Sequence, residues 1–460
     1  MAEFDLVVRR GEVVGPDGTV TTDIGVRKGK VMAVGNNLGA GAEEFDSSGL
    51  YVLPGLVDAH VHFREPGMTS KGGFADGTRA AASGGVTTVI DMPNTVPPVT
   101  DVRRLREKSR LVEPKAHVDF ALYALFSGEN ETQFGELAAG GIAGLKLYLG
   151  KSVGGNPAPN DAAVYAGLEA ARDSGLVVGV HAENDHIVDM FTERIRAVGR
   201  TDPAAHSDAR PPLAEFEAVQ RIVTLADAAG ADLHIHHLST GIALEQVRRC
   251  KSRGSRVTAE AIIAHLYLDK SAYREHGNLV KLNPPLRDEE DRMALWQGVG
   301  DGTVDLIATD HAPHTAYEQG RSNVWDAEGG FIGVETMLPM LLDSVSKGLL
   351  AIEDIARLCS WNPARRWGLA EKGHFMPGAD ADIVIVDLDS EWTIRSAELH
   401  SNAKETPFDG LRIHGAVRKT FLRGQVVAVN GSVVGQPRGR FVKPTRSARV
   451  VRKVVQHGGE

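Results

Sequence analysis

The chain has 460 residues, 42% hydrophobic and 24% charged, with a formal net charge of −9. That length holds one large domain or a large and a small one of ordinary soluble chemistry. An acidic balance with no concentrated basic face argues against nucleic acid as a partner, and no apolar run is long enough to cross a bilayer, which argues against a membrane. Cys250 and Cys359 lie far apart with no CxxC pattern, so neither a disulfide framework nor a thiolate metal site is expected. The opening Met1-Ala2-Glu3-Phe4-Asp5 has no basic and apolar leader, and a cytoplasmic protein is expected.

Taken in chain order, Phe4 to Val14 reads as a strand, Gly15-Pro16-Asp17-Gly18 as a turn, and Asp23 to Val34 as a strand pair around Lys28-Gly29-Lys30. The same texture returns at Ala381 to Val386 and at Val417 to Val434. Two strand-rich ends flanking a different middle predict one small β-sandwich domain made from residues 1–52 and 375–450.

Residues 53–374 alternate strands and helices. Eight strand-like segments are expected: Tyr51–His60, Val86–Met92, His117–Leu125, Gly144–Leu149, Val177–His181, Asp232–Leu238, Arg256–Ile262 and Asp305–Thr309. Helical patterns separate most of them, including Ala162 to Asp173 and Leu213 to Ala229. Eight strand-helix units predict a closed (β/α)8 barrel of the α/β class. Its chemistry belongs at the C-terminal ends of the strands. The basic stretch from Arg438 to Lys453 reads as a solvated arm or a subunit contact.

The first barrel strand ends in His60-Val61-His62, an i, i+2 pair that points both imidazoles to one face, where they can share a metal ion. Such a pair also arises by chance. Its weight comes from the other strand ends, which deliver Lys146, His181, His237 and Asp310 to the same mouth. Each alone has an ordinary structural reading: a core histidine, a lysine in a salt bridge, an N-capping aspartate. On the sixth strand, alternation is read as setting His236 apart from His234 and His237. His311 is read as support for Asp310, and His186, His206, His276, His374, His400, His414 and His457 have no motif context.

The sequence resembles the amidohydrolase superfamily, in the branch of dihydroorotases, hydantoinases and allantoinases. The resemblance spans nearly the whole chain. It rests on Asp58-Ala59-His60-Val61-His62-Phe63-Arg64-Glu65-Pro66-Gly67, Gly85-Val86-Thr87-Thr88, Gly144-Leu145-Lys146, His181-Ala182-Glu183-Asn184 and Ala308-Thr309-Asp310-His311-Ala312-Pro313-His314. It implies two divalent ions; the histidine and carboxylate donors suit zinc, and manganese or cobalt would also fit. One would be held by His60, His62 and Asp310, the other by His181 and His237, with Lys146 bridging them as a CO2-derived carbamate. His237 is chosen because it precedes Leu238-Ser239-Thr240, as the family ligand does. Asp310 would also be the catalytic proton carrier. The substrate would be a small cyclic amide, and the branch commonly forms homodimers or homotetramers. Some relatives have lost ligands and serve as structural partners, but all six ligand positions are kept here.

Among substrates, the resemblance favours dihydroorotase. Arg64 and Asn94 match its carboxylate-binding residues, and Asn283 and His314 match its ring- and substrate-contacting residues. Allantoinases generally lack the arginine of HxHxR. Dihydropyrimidinases and D-hydantoinases generally carry a tyrosine five residues after the bridging lysine, where this chain has Lys151. One departure points elsewhere: Ile262-Ile263-Ala264-His265 replaces the usual Thr-Pro-His-His turn, and a more apolar pocket there would suit a substituted hydantoin or cyclic imide. Hydantoinase, allantoinase or another cyclic ureide hydrolase is the alternative.

Overall fold

The computed structural model describes residues 2–150 and 158–445. Eight parallel strand positions form a barrel: β1 (Leu56–Val61), β2 (Val86–Asp91), β3 (Asp119–Leu122, continued by Ala124–Leu125), β4 (Leu145–Tyr148), β5 (Val177–His181), β6 (Asp232–Ile235), β7 (Val257–Ile262) and β8 (Leu306–Ala308). Closure comes from the Val61–His311 bridge, with the His62 amide donating to the His311 carbonyl at 2.8 Å. Almost every residue of these strands is buried, as expected of strands with the barrel interior on one side and helices on the other.

The helices between the strands follow their sequence signals closely. Asn160 accepts from the Ala163 amide at 3.0 Å and so starts the helix Asp161–Asp173. Pro212 opens Pro212–Ala229, and Gly230, at φ 69°, ends it in the left-handed conformation.

The two chain ends join in one nine-stranded sheet. Its path runs Ser432–Val433, Gln425–Val429, Arg412–Leu422, Ile383–Thr393, Tyr51–Pro54, Phe4–Gly15, Gly18–Arg27, Lys30–Gly35, and Gly41–Asp46 pairs off it with Phe4–Gly15. The junction is Tyr51–Pro54, antiparallel to Ile383–Thr393 and parallel to Phe4–Gly15.

Several expected boundaries move. The segment expected as one strand, Tyr51–His60, is two. Tyr51–Pro54 belongs to the terminal sheet and β1 to the barrel, with Gly55 between them. A Cβ on Gly55 would lie 2.1 Å from Thr87 Oγ1, so only glycine allows the chain to pass from one sheet to the other there. β6 stops at Ile235 rather than Leu238, and the region from Val417 to Val434 holds parts of three strands rather than two. The first part of the basic tail is strapped to the barrel rather than solvated. The Arg440 carbonyl accepts from Phe120 N at 3.0 Å, Val442 N donates back to Phe120 O at 2.7 Å, and Thr445 N reaches Gly368 O at 2.8 Å. The rest of that tail lies outside the described residues.

The seam between strap, sheet and barrel is ionic. Lys372 Nζ, 1% exposed, lies 2.5 Å from Asp119, 2.8 Å from Asp380 and 2.8 Å from Asp382. Arg423 also pairs with Asp119. Burial alone would lower the Lys372 pKa, but the three carboxylates hold it above its usual value. Removing the cation leaves buried carboxylates uncompensated. We predict that Lys372→Met lowers stability by about 3–5 kcal/mol, read as a large fall in the urea or thermal midpoint. A midpoint within a degree of wild type would show that the seam does not depend on this ion.

Candidate metal centre and substrate pocket

The strand ends bring all six expected metal residues to one pocket. His60, His62, Lys146, His181, His237 and Asp310 line it together with Arg64, Asn94, Tyr148 and Asn283. Three of these, Arg64 (φ 57°), His237 (φ 38°) and Asp310 (φ 50°), have left-handed backbone. Such strain in non-glycine residues collects where the surrounding structure imposes it, commonly at functional sites. It also corrects the reading of the sixth strand. His234 and His236, two apart, share a face, and the left-handed turn at His237 brings its ring inward as well, so all three rings lie inside the barrel. Gly179 makes room for them, since a Cβ there would lie 2.1 Å from His236 Nε2.

The hydrogen bonds around each imidazole fix its tautomer. His60 Nδ1 lies 2.5 Å from Glu260 Oε1, which leaves the Nε2 lone pair facing the pocket. His62 Nδ1 donates to Asn94 Oδ1 at 2.8 Å and likewise turns Nε2 inward. His181 Nε2 donates to Glu183 Oε2 at 2.9 Å, which leaves Nδ1 as its inward atom. Burial lowers the pKa of His60 well below its usual value, and lowers that of His62 against the pull of Asp310. These rings are therefore neutral.

Neutral rings with inward lone pairs stand close to other acceptors. His62 Nε2 is 3.0 Å from Asp310 Oδ1, and His60 Nε2 is 3.2 Å from the same oxygen with no hydrogen bond between them. His181 Nδ1 is 3.1 Å from His237 Nε2. Two ligands on a tetrahedral zinc, each about 2.0–2.1 Å from the ion, stand about 3.3 Å apart. The lone pairs of His60 and His62 repel the Asp310 oxygen at these spacings unless a cation lies between them, whereas His181 and His237 can share either a proton or an ion, so the donor set fits metal ions. Lys146 Nζ is buried with no hydrogen-bond partner among the described residues, and burial lowers its pKa to about 8. The neutral amine is the form that adds CO2, and the lowered pKa enlarges its share near neutral pH.

Sequence reasoning missed the residues that hold these rings. Glu260, on β7, is fully buried. It lies 2.5 Å from His60 Nδ1, 3.0 Å from His236 Nδ1 and 3.0 Å from His234 Nε2, and accepts from the His237 amide at 3.1 Å. Burial pushes its pKa well above the usual carboxylate range. Glu183 behaves differently. Burial would raise its pKa, but Arg210, 2.5 Å away, and His181 hold it below the ordinary value. A carboxylate inside a strand of apolar neighbours carries no local motif. Only the barrel brings Glu260, on β7, to His60, on β1.

The four expected substrate residues divide. Arg64, 2% exposed, donates from Nε to Pro313 O at 3.4 Å and from Nη2 to His314 Nε2 at 3.0 Å, leaving Nη1 without a partner among the described residues. Asn94 lines the pocket but turns its oxygen to His62. Asn283 lines the pocket from the loop before helix Glu289–Asp301. His314 lies behind Arg64 and outside the pocket lining, contrary to the expectation of a third donor to substrate. His311 turns Nδ1 to the Gly333 and Val334 amides rather than to Asp310. The Ile262-Ile263-Ala264 turn is packed in the core and lines no part of this pocket, so it does not make the pocket apolar. Its His265 donates to Pro284 O at 3.0 Å. The position five residues after Lys146, Lys151, lies outside the described residues.

Residues 51–427 match the model of the amidohydrolase family. The chain belongs to the amidohydrolase family. It is a hydrolase of that family. An allantoinase of Rubrobacter xylanophilus is 42% identical over 97% of this chain and 99% of its own length. An allantoinase of Deinococcus radiodurans is 36% identical over 96% and 99%. Among solved structures, the L-hydantoinase (dihydropyrimidinase) from Arthrobacter aurescens superposes with a TM-score of 0.93 at 33% identity, covering 96% of this chain and 100% of that one. These relatives favour the alternative over dihydroorotase and the pyrimidine biosynthesis that goes with it. The arginine of HxHxR was read as evidence against an allantoinase, and relatives of that name align over nearly the whole chain.

Supporting carboxylates of this kind typically change metal affinity about 10–100-fold when altered. Glu260→Gln is expected to weaken metal retention on dialysis by that order, because its amide N–H2 opposes a ring donor. Full metal content after dialysis would show that Glu260 does not orient the metal-facing histidines.

Proposed function

We propose that this amidohydrolase opens a hydantoin-type cyclic ureide, with allantoin the first substrate to test, by adding water across a ring amide. The observation that carries the hydrolytic reading is the convergence of the inward His60 and His62 nitrogens on one Asp310 oxygen, at spacings that suit a shared cation, beside the paired His181 and His237. The ring class is supported by relatives along the whole chain that carry the name allantoinase, and by a solved hydantoinase of nearly the same shape.

In this reading His60, His62 and Asp310 hold one divalent ion, and His181 and His237 hold the second. Lys146 would carry CO2 as a carbamate, which would supply an anionic ligand where the free amine is a cation. Bound there, the ions supply the Lewis acidity that activates water and polarises an amide carbonyl. Zinc suits the nitrogen and oxygen donors.

The chain's own residues do the rest. Asp310 takes a proton from water at its carboxylate and returns it to the ring nitrogen as the C–N bond breaks. A C–O bond forms, the amide C–N bond opens, and the product is an acyclic carbamoyl compound. Arg64 offers Nη1 to a ring oxygen. Nε and one N–H of Nη2 are engaged by Pro313 and His314, which leaves Nη1 as the nitrogen with no partner among the described residues. Asn283 reads a second polar atom of the ring.

Two experiments test this reading. A panel of allantoin, 5-substituted hydantoins, dihydrouracil, succinimide and dihydroorotate is expected to show turnover of the hydantoin rings. For dihydroorotate kcat/KM should be lower by a factor on the order of 100, about 2.7 kcal/mol of transition-state binding. Preference for dihydroorotate would reverse the ring assignment. Lys146→Ala is expected to lose most activity and half of its bound metal, with short carboxylic acids restoring part of both. Two metals retained without such additives would refute the bridge.

A further inference from the structure

His206 sits on the short helix Ala204–Asp208, 5% exposed, outside every motif of the sequence. Its Nε2 lies 3.0 Å from the Leu282 carbonyl and 2.9 Å from Asn283 Oδ1. A carbonyl oxygen only accepts, so Nε2 carries the proton. The Asn283 atom beside that N–H must then be the oxygen rather than the amide nitrogen. The usual ambiguity of an asparagine side chain is removed by its neighbour. Burial, reinforced by Arg210 and Lys281, lowers the His206 pKa to about 3, so the ring keeps a single N–H bonded this way at neutral pH.

We propose that His206 is a positioning residue that locks Asn283 as a hydrogen-bond donor toward the substrate, so that the site demands an acceptor on the ring. Asn283 lines the reaction pocket, and its Nδ2 makes no hydrogen bond to the described residues. The lock is itself held in place. Ser207 Oγ donates to Leu286 O at 2.8 Å, and Arg287 donates to the Arg210 carbonyl. Arg210 in turn pairs with Glu183, the partner of His181. One segment, residues 206–210, therefore fixes both a substrate-facing amide and a metal-facing imidazole.

The inference deepens the proposed function and rests on a hydantoin-type ring, whose urea carbonyl is not the one attacked. That carbonyl is the acceptor Asn283 would read. A thiocarbonyl there is a much weaker acceptor, so 2-thiohydantoin is the probe.

The experiment compares hydantoin with 2-thiohydantoin in the wild-type metal-loaded enzyme, in His206→Phe and in His206→Gln, with melting curves to confirm folding. Wild type is expected to favour the oxo ring by roughly tenfold in kcat/KM, the scale of one hydrogen bond. His206→Phe frees Asn283 to turn, so its KM for hydantoin should rise by about the same factor, with kcat changing less, and the oxo preference should fall toward unity. His206→Gln, which can present an N–H to Asn283, should recover most of the preference. An unchanged KM and preference in folded His206→Phe would overturn the proposal. So would equal losses on both rings, the mark of a merely structural role. Wild type that opens neither ring would instead remove the ring assignment on which this inference stands.

Discussion

One buried carboxylate on β7 faces three imidazoles and one backbone amide, and the site's geometry depends on it. Glu260 meets His60, His234 and His236 through ring nitrogens and His237 through its main chain. An acid at the centre of a barrel is costly to bury, and here burial raises its pKa well above the usual range. What it gives in return is orientation. A neutral imidazole has one donor and one acceptor, and whichever nitrogen faces Glu260 decides which one faces the pocket. Asn94 and Glu183 do the same for His62 and His181. The orientation of a pocket-facing histidine here is therefore a property of a pair of residues.

That pairing explains what the sequence made legible. The six expected metal residues converge because strand ends carry a local code: an i, i+2 pair, a histidine or lysine closing an apolar run, an aspartate at the last strand. The barrel itself was readable from eight strand-helix units. Boundaries were less so, because β6 ends early and because Tyr51–Pro54 and β1 form a single apolar run interrupted only by Gly55. Glu183 stands two residues from the ring it holds, within His181-Ala182-Glu183-Asn184, so its motif was legible and only its supporting role was not. Glu260 and His206 were invisible for a different reason. Each acts on a residue tens or hundreds of positions away, and nothing in its own neighbours marks it. Alternation in fact puts His234 and His236, two apart, on one face, so separating them misapplied the pleat; it is His237, left-handed and past the strand, that the pleat does not govern.

The substrate reading changed because the relatives along the whole chain are allantoinases and a hydantoinase, and the pocket residues can be set beside that change. Arg64 in sequence is a free fork, but in the structure two of its three nitrogens are engaged by Pro313 and His314. His314 is the residue that meets the Arg64 Nη2 from behind the pocket lining. The apolar turn Ile262-Ile263-Ala264 belongs to the core, so the departure that seemed to bear on specificity bears on packing.

The junction of Tyr51–Pro54 with Ile383–Thr393 sets an order of events during synthesis. The amino-terminal strands leave the ribosome more than 300 residues before the strand that completes their sheet. Until then Tyr51–Pro54 presents an unpaired edge, and the barrel must be made before that edge can be covered. Long-range pairing of this kind closes late and leaves its strands open to pairing with other chains. The terminal sheet is thus completed only after the whole barrel has been synthesised, and the strap that ties Arg440 and Val442 to Phe120 follows it.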